Sequence, residues 1–554
     1  MKNTLISIKN LVLIFILAIS ANLNLQAQTS QGTEFWLAFP ANYDATGVRQ
    51  LYITAENNSV VNINITDPAF STTVNITAGT LETITLPMAV EVTGNGSIHN
   101  KGIHVTSDNP VTVYVMSQRD FSTDAYLGLP VDALGNDYYV MAYENNNLGI
   151  QLTVVATEDN TNVSITPTAS SPGWSAGVTG NVVLNTGQVF QLRTTASGSD
   201  YTGSRVVSDK PVGVFGSNNC ANIPVGVTAC DYIVQQLTPV NTWGQSFVTV
   251  PLAERTAGDV FRIMAQQSNT EVSINGSVVA TLNAGQFYQT DLSSTSYNKI
   301  TANKPILVGQ FCKGVSADNT TGDPCFSLIP PDEQVLNNYV ISAGTSNIAI
   351  NYLNITSPTS NTGNVKVDGA SVAPSSWTAI PGTTYSGAQV SVPNGIHTVT
   401  SNLPIGLLVY GYTEADSYAY IGGQAFGEVA TVVSLTISPK TGSSPINTTR
   451  CWQATLLNNF GEPVTGVRVD FNITGPNSAS TGFAFTNESG IATFCYDGPN
   501  PGTDNIMAVV GALNDTASFT WSESIQPIPL SNWAVYVGIA FMLSFVVIRF
   551  RRIF

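Results

Sequence analysis

Positive charge is scarce in this sequence. Its 554 residues hold 20 Lys and Arg against 36 Asp and Glu, a net charge of −16, and only three histidines. Nucleic-acid backbones are bound by basic patches, and none is present, so no nucleic-acid partner is expected. His99, His104 and His397 are dispersed and form no His-Glu-x-x-His pair; a Gly-x-Ser-x-Gly elbow and a phosphate loop are also missing. His104 and His397 lie inside a repeated phrase and read as satisfied residues beside strands. No catalytic residue, metal site or cofactor is therefore assigned. Two oxygen-rich stretches, 156–162 (ATEDNTN) and 316–324 (SADNTTGDP), lack the EF-hand order and read as turns on an acidic surface. Nothing between Gly32 and Thr520 sustains a helical apolar period. Apolar alternation continues across that stretch, so disorder is not expected either.

What is present is a β composition: Gly, Asn, Thr and Ser between short runs of Val, Ile, Tyr and Phe, with 43% hydrophobic and 10% charged residues. The two ends differ. Lys2 and Lys9, the apolar stretch 11–21 and a small-residue site near Ala27 read as an export signal over residues 1–27. The other end has an apolar segment, 532–548, followed by Arg549, Arg551 and Arg552 in a basic tail at 549–554. It reads as a single transmembrane helix whose arginines hold the last residues in the cytoplasm. Without Lys2, Lys9 and these three arginines the chain loses five of its 20 cations, so the net charge moves from −16 to −21.

One phrase occurs four times: IHVTSDNPVTVYV from Ile103, SRVVSDKPVGVFG from Ser204, NKITANKPILVGQ from Asn298 and HTVTSNLPIGLLVY from His397. Whole segments align around Pro110, Pro211, Pro305 and Pro404. Each opens with an aromatic, β-branched strand, continues through a strand pair split by a polar turn, and adds a strand led by a glycine. The residue before a proline is extended and proline cannot donate to a ladder. The phrase is thus expected to be a turn launching the last core strand of each repeat, with its Ser, Asp and Asn satisfying the turn's own amides. The fold class is all-β: four related β-sandwich-like repeats at 32–134, 135–242, 243–335 and 336–423, then one immunoglobulin-like sandwich and the transmembrane helix. Whether the repeats pack pairwise, close as a compact ring or hang as beads is not decided by the sequence.

GTEFWLAFPANY, with Gly32, Phe35, Trp36 and Phe39, resembles the opening of the N-terminal domain family shared by IgG-Fc-binding proteins and many exported bacterial proteins. The resemblance runs to about Gly423 and implies adhesion or surface display. After a linker strand at 424–446, residues 447–524 resemble bacterial immunoglobulin-like domains of intimin and invasin type. The resemblance is carried by Asn458, Asn459, Gly461, Pro463, Val464, Gly466, Val467, Val469 and Phe471, then Thr486, Gly490, Ala492, Phe494 and Tyr496. Residues 525–531 precede the helix. There Ile528, Pro529, Leu530 and Ser531, with Trp533, resemble a C-terminal sorting signal of the Ile-Pro-Thr-Leu type, although the Thr is missing and Ala534 replaces the usual Gly. That resemblance implies a sorting protease as a partner; a plain anchor is the alternative.

The six cysteines fall into three pairs. Cys220/Cys230 and Cys312/Cys325 flank equivalent connections in successive repeats, and Cys451/Cys495 belong to the fifth domain. An exported location permits disulfides, and the spacings are wrong for zinc. The expected protein is exported to the cell envelope or surface, single-pass at least as a precursor. Its expected role is that of an adhesin or ligand-binding ectodomain with a glycan, mucin or surface-protein partner. A structural matrix protein is the alternative and a carbohydrate-active enzyme a distant third. Phe121, Tyr126, Tyr418 and Tyr420, in connections, are the expected exposed binding aromatics.

Overall fold

The structure, a computed structural model, describes residues 29–551 except 146–147, 320, 345–346, 427–431, 459–462, 465–466, 488, 511–512 and 524–531. The export signal, the sorting residues Ile528, Pro529, Leu530 and Ser531, and Arg552 lie outside the described residues, as do Asn459, Gly461 and Gly466. The chain divides into two compact units, 1–429 and 430–554. Both are built from strands, and one apolar helix ends the second.

The first unit contains four related sheets of seven, eight, seven and eight strands. Where one face of a strand meets solvent, burial alternates. Val61, Ile63 and Ile65 of Ser59–Ile65 are buried while Val60, Asn62 and Asn64 are exposed. Where both faces are covered, alternation disappears. Strand Ile150–Ala156 is buried throughout, because Leu152 and Val154 enter the core of their own repeat and Val155 enters that of the preceding one.

Each sheet is organised by one long strand: Ile103–Gln118, Arg205–Ala221, Asn298–Phe311 and Gly395–Thr413. These strands carry the four prolines, and here the sequence reading needs correction. The chain does not turn at the proline; it continues as a strand with a bulge. In the first repeat the opening strand pairs Gly32 with Val111, but two residues later pairs Glu34 with Thr106. The same skip lies between Gly135 and Asp137, Gly244 and Ser246, and Leu336 and Asn338. Each time the unpaired excursion ends at the proline, which has no N–H to leave unsatisfied. Before the bulge the long strand pairs with the opening strand and the outer hairpin; after it, with Val48–Ala55 and Asp124–Leu127. One strand thereby serves both halves of the sandwich.

The serines of the phrase stay local, Ser107 Oγ donating to Asn109 O at 2.7 Å and Ser208 Oγ to Lys210 O at 2.6 Å, but its Asp and Asn residues serve a neighbouring strand. Asp108 Oδ1 accepts the amide of Val60 at 2.8 Å, Asp209 Oδ1 that of Asn162 at 2.8 Å, and Asn303 Oδ1 that of Glu271 at 2.9 Å. Asp and Asn both present an sp² oxygen there, so the drift between them costs no bond.

The four repeats close on one another. Short strands Asp124–Leu127, Asp231–Gln236, Phe326–Ile329 and Asp416–Ile421, one per repeat, meet in a central hub. The first and last repeats are joined by a bridge between Thr29 and Ala425, by Ser30 N donating to Gln424 O at 2.7 Å, and by the Tyr114 hydroxyl donating to Gly422 O. Disulfides Cys220–Cys230 and Cys312–Cys325 each tie a long strand to the approach to its hub strand.

The second unit is a sandwich of three and five strands. Trp452, Phe471, Tyr496, Ile506, Phe519 and Trp521 fill its core. Cys451 and Cys495 are direct cross-strand partners within the three-stranded sheet and are disulfide-bonded. The helix Asn532–Phe550 is apolar, with hydropathy 2.0, and long enough to cross a membrane; Arg549 lies in its last turn.

Candidate binding face and the acidic hub

The hub strands bring one aspartate from each repeat into the interior: Asp124, Asp231, Asp323 and Asp416, all 3% exposed or less. Burial of four acids demands partners. Asp124 is held by main-chain amides of different repeats. Its Oδ1 accepts from Ala125 N at 2.9 Å and Ala419 N at 3.1 Å, and its Oδ2 from Val234 N at 3.0 Å. Beside it the Gln235 side-chain amide donates to the carbonyls of Ala125, Phe326 and Ala419. One acceptor and one donor thus stitch the repeats together.

The other three acids are less well satisfied. Asp231 accepts from its neighbour Tyr232 N and from Ser417 N at 3.3 Å. Asp416 accepts from Thr123 Oγ1 and Ser417 N, each at 3.0 Å, and Asp323 from Val315 N at 3.2 Å. Burial pushes the Asp231 carboxyl well above the carboxylate range, and repulsion from Asp416, Asp323 and Asp124 adds to it. Burial raises Asp323 to about 6 and Asp416 to about 7. Burial thus favours the protonated form of all three acids.

Above the hub lie the four connections that lead into its strands. Ser316 Oγ of the third donates to Thr228 O of the second at 2.6 Å, and Asp120 of the first accepts from Asn347 Nδ2, which lies between strands Leu336–Ala343 and Ile350–Pro358, at 2.9 Å. Phe121 projects from the first connection, 65% exposed, with a left-handed φ of 62°. For a bulky side chain that conformation is strained, and it persists because the flanks are pinned. Ser122 Oγ donates to Asn42 Oδ1 at 2.8 Å, and Thr123 Oγ1 binds Asp416. Arg119 forms a two-pronged pair with Asp44 at 3.0 and 2.9 Å and lies 4.8 Å above the half-exposed ring of Tyr43. Tyr43, Arg119 and Phe121 make a rigid aromatic and cationic rim.

The sequence placed four aromatics on this face, and only Phe121 is there. Tyr126, Tyr418 and Tyr420 are buried to 1% exposure or less. Their hub strands are covered on both faces, and their hydroxyls bind inside: Tyr126 to Ala38 O, Tyr418 to Asn351 Oδ1 and Tyr420 to Ser342 O. Tyr43 and Arg119 were missed. The hub acids were missed as well, although each opens or precedes its hub strand in DAYL, DYIV, DPCF or DSYA. Two of the three histidines have structural partners: His104 stacks on Trp36 at 4.1 Å and meets Glu34, and His397 binds Asp368 and Pro393 O. In the oxygen-rich stretches Asp159 accepts the amide of Thr186 at the surface, but Asp318 and Asp323 are not the surface turn residues expected: the Asp318 side chain is buried against Arg255, and Asp323 belongs to the hub.

Comparison with known proteins follows the four-repeat region. A sequence profile of the family described as IgGFc binding protein matches residues 124–411, more than half of the chain. The IgGFc-binding protein of Homo sapiens is 27% identical over 403 residues, covering 70% of this chain and 7% of the human protein. The chain thus spans a small fraction of that relative. Among solved structures, the D0-D1 domain of intimin covers 33% of this chain and 89% of its own, at 15% identity and a TM-score of 0.13. The S-layer protein rSbsC covers 70% of this chain and 54% of its own, at 10% identity and a TM-score of 0.14. TM-scores this low leave the fold to be argued from its own sheets.

Proposed function

The chain belongs to the IgGFc binding protein family, and from that premise we propose that it is a non-enzymatic, surface or secreted ligand-binding protein. The observation that carries the reading is the rim of Tyr43, Arg119 and Phe121, held rigid over a cross-braced hub. Exposed aromatics with a neighbouring arginine are the side chains that most often anchor interfaces. Connections on a fixed scaffold are also where binding residues usually lie. The ligand is a surface protein, a glycan or a mucin with a neutral or basic face, since the chain carries a net charge of −16.

On this reading the protein acts as an adhesin tethered, at least transiently, by the helix Asn532–Phe550, with Arg549 at its inner end. The segment 525–531 serves a sorting protease, or the helix remains as a plain anchor; the intact mass of the mature protein distinguishes them. The test of function is a glycan, mucin and immunoglobulin-Fc array probed with the full chain in detergent. Binding that falls with Phe121→Ala and Tyr43→Ala supports the assignment. Blank arrays with a folded protein, and unchanged adhesion in a deletion strain, favour a structural matrix role, which the closed and internally bonded hub also suits.

A further inference from the structure

The four repeats meet at four seams, and two positions recur beside each one. The first is the fourth residue after the start of the opening strand: Trp36, Tyr139, Val248 and Val340, paired in the same register with His104, Arg205, Lys299 and Thr398. The second is a turn glycine on the next repeat: Gly187, Gly285, Gly382 and, where the ring closes, Gly79, all with φ between 71° and 75°.

At two seams a ring fills the gap. Trp36 lies over Gly187 so closely that a Cβ there would sit 2.7 Å from the indole, and Tyr139 lies over Gly285 at the same distance. A second contact tightens both: Gly102 N donates to Gly187 O at 3.0 Å, and Gly203 abuts the Gly285 carbonyl. At the third seam Val248 replaces the ring and nothing lies within 4 Å of a Cβ at Gly382, but the cavity that Val248 and Tyr385 line is only about 30 Å³.

The closing seam has neither contact. Val340 stands where the ring would be, nothing lies within 4 Å of a Cβ at Gly79, and the position of Gly102 and Gly203 is taken by the half-exposed Ile396. An open groove of about 420 Å³ remains between the fourth and first repeats, with Val340 and Gly79 in its walls. Thr398, Thr400, Asn338 and Glu56 edge it, and no Lys or Arg is among its lining residues.

We propose that this groove is a second binding site that takes a tryptophan or tyrosine side chain from a partner polypeptide. Two of the sister seams identify the occupant's chemistry, since in both an aromatic ring covers the same glycine turn. The polar edge can bind the peptide that carries the ring, and Glu56 together with the chain's net negative charge selects against acidic neighbours. The site is separate from the rim at Phe121 and does not depend on the role proposed for that rim.

The test is a random dodecapeptide library displayed on phage, panned on the full chain in detergent. Selected peptides should share one Trp or Tyr with neutral or basic neighbours and lose affinity when that residue becomes Ala. Val340→Trp, which supplies the missing ring from within, should weaken them at least tenfold. Asn338→Trp, which covers the groove from its exposed edge without touching the core, should weaken them as well, with melting by circular dichroism confirming that both variants fold. Peptides without a shared aromatic, wild-type affinity in both folded variants, or binding that falls with Phe121→Ala instead would overturn the proposal. So would a self-association of the wild type that Val340→Trp abolishes, because the occupant would then be a second copy.

Discussion

The Asp124 carboxylate accepts the amide of Val234, a residue of the next repeat, at 3.0 Å, while its other oxygen accepts the amide of Ala419 from the last repeat. A single buried side chain therefore holds three repeats in register. Such a group is most costly when one side of its bonds is removed, because the main-chain amides stay buried without acceptors.

Asp124→Ala should destabilise the first unit by about 3–5 kcal/mol. Asp124→Asn keeps one acceptor oxygen but sets an NH2 against a main-chain amide, and should cost about half as much. Urea unfolding of the full chain measures both; a midpoint for Asp124→Ala close to wild type would show that the hub does not hold the repeats together.

Stability should depend on pH in a direction opposite to that of most acidic proteins. Asp323, at about 6, and Asp416, at about 7, have folded-state values above the ordinary carboxylate range, as do Asp259 at about 6 and Glu333 at about 7. The folded state holds these protons more tightly than the unfolded chain does. The stability they contribute is complete below the ordinary carboxylate values near pH 4 and is lost as pH rises through 6 and 7. Calorimetry should find a higher melting temperature at pH 5 than at pH 8, with Asp416→Asn flattening the slope. A melting temperature that rises across this range would contradict the assignment.

Phe121 separates binding from folding. Its left-handed backbone is unfavourable for a bulky residue and its side chain is solvated. Phe121→Gly should raise stability by about 1 kcal/mol while abolishing array binding. Loss of stability would mean that the ring packs on the rim and is not presented for a ligand.

The Cys312–Cys325 disulfide closes a loop with a sequence separation of 13 that carries Asp323. Replacing both cysteines with serine should cost about 3 kcal/mol. Peptide mapping without reductant should recover this pair together with Cys220–Cys230 and Cys451–Cys495; six free thiols would refute the pairing.

Much of the architecture was legible because periodicity is local. Val61, Ile63 and Ile65 announce a strand, and the recurrence of the proline phrase announces a repeat. What the phrase does was not legible, because a bulge and a turn ask the same of the residue before a proline. Only the partner strand distinguishes them, and Gly32 and Val111 are far apart in sequence. Ring closure depends on contacts such as Thr29 with Ala425, which carry no local signature. The hub acids escaped because the connections between each proline and its aspartate differ in length, so alignment on the prolines scatters them. Tyr126, Tyr418 and Tyr420 misled for a related reason: a polar, tyrosine-rich stretch resembles a solvated loop until neighbouring repeats cover it.

The bridge from Thr29 to Ala425 also governs how the first unit bears tension. Entry and exit of the four repeats lie side by side, joined by that bridge and by Ser30 N to Gln424 O. A pull between them acts across this short ladder and opens it like a zipper, one bond after another, instead of loading many bonds in shear. The hub, with its buried aspartates and its glutamine, lies off the line of force until the seam has parted. Under a pull applied to those two ends, the closing seam is then the mechanical fuse. Its groove widens first, while the other three seams keep their packing.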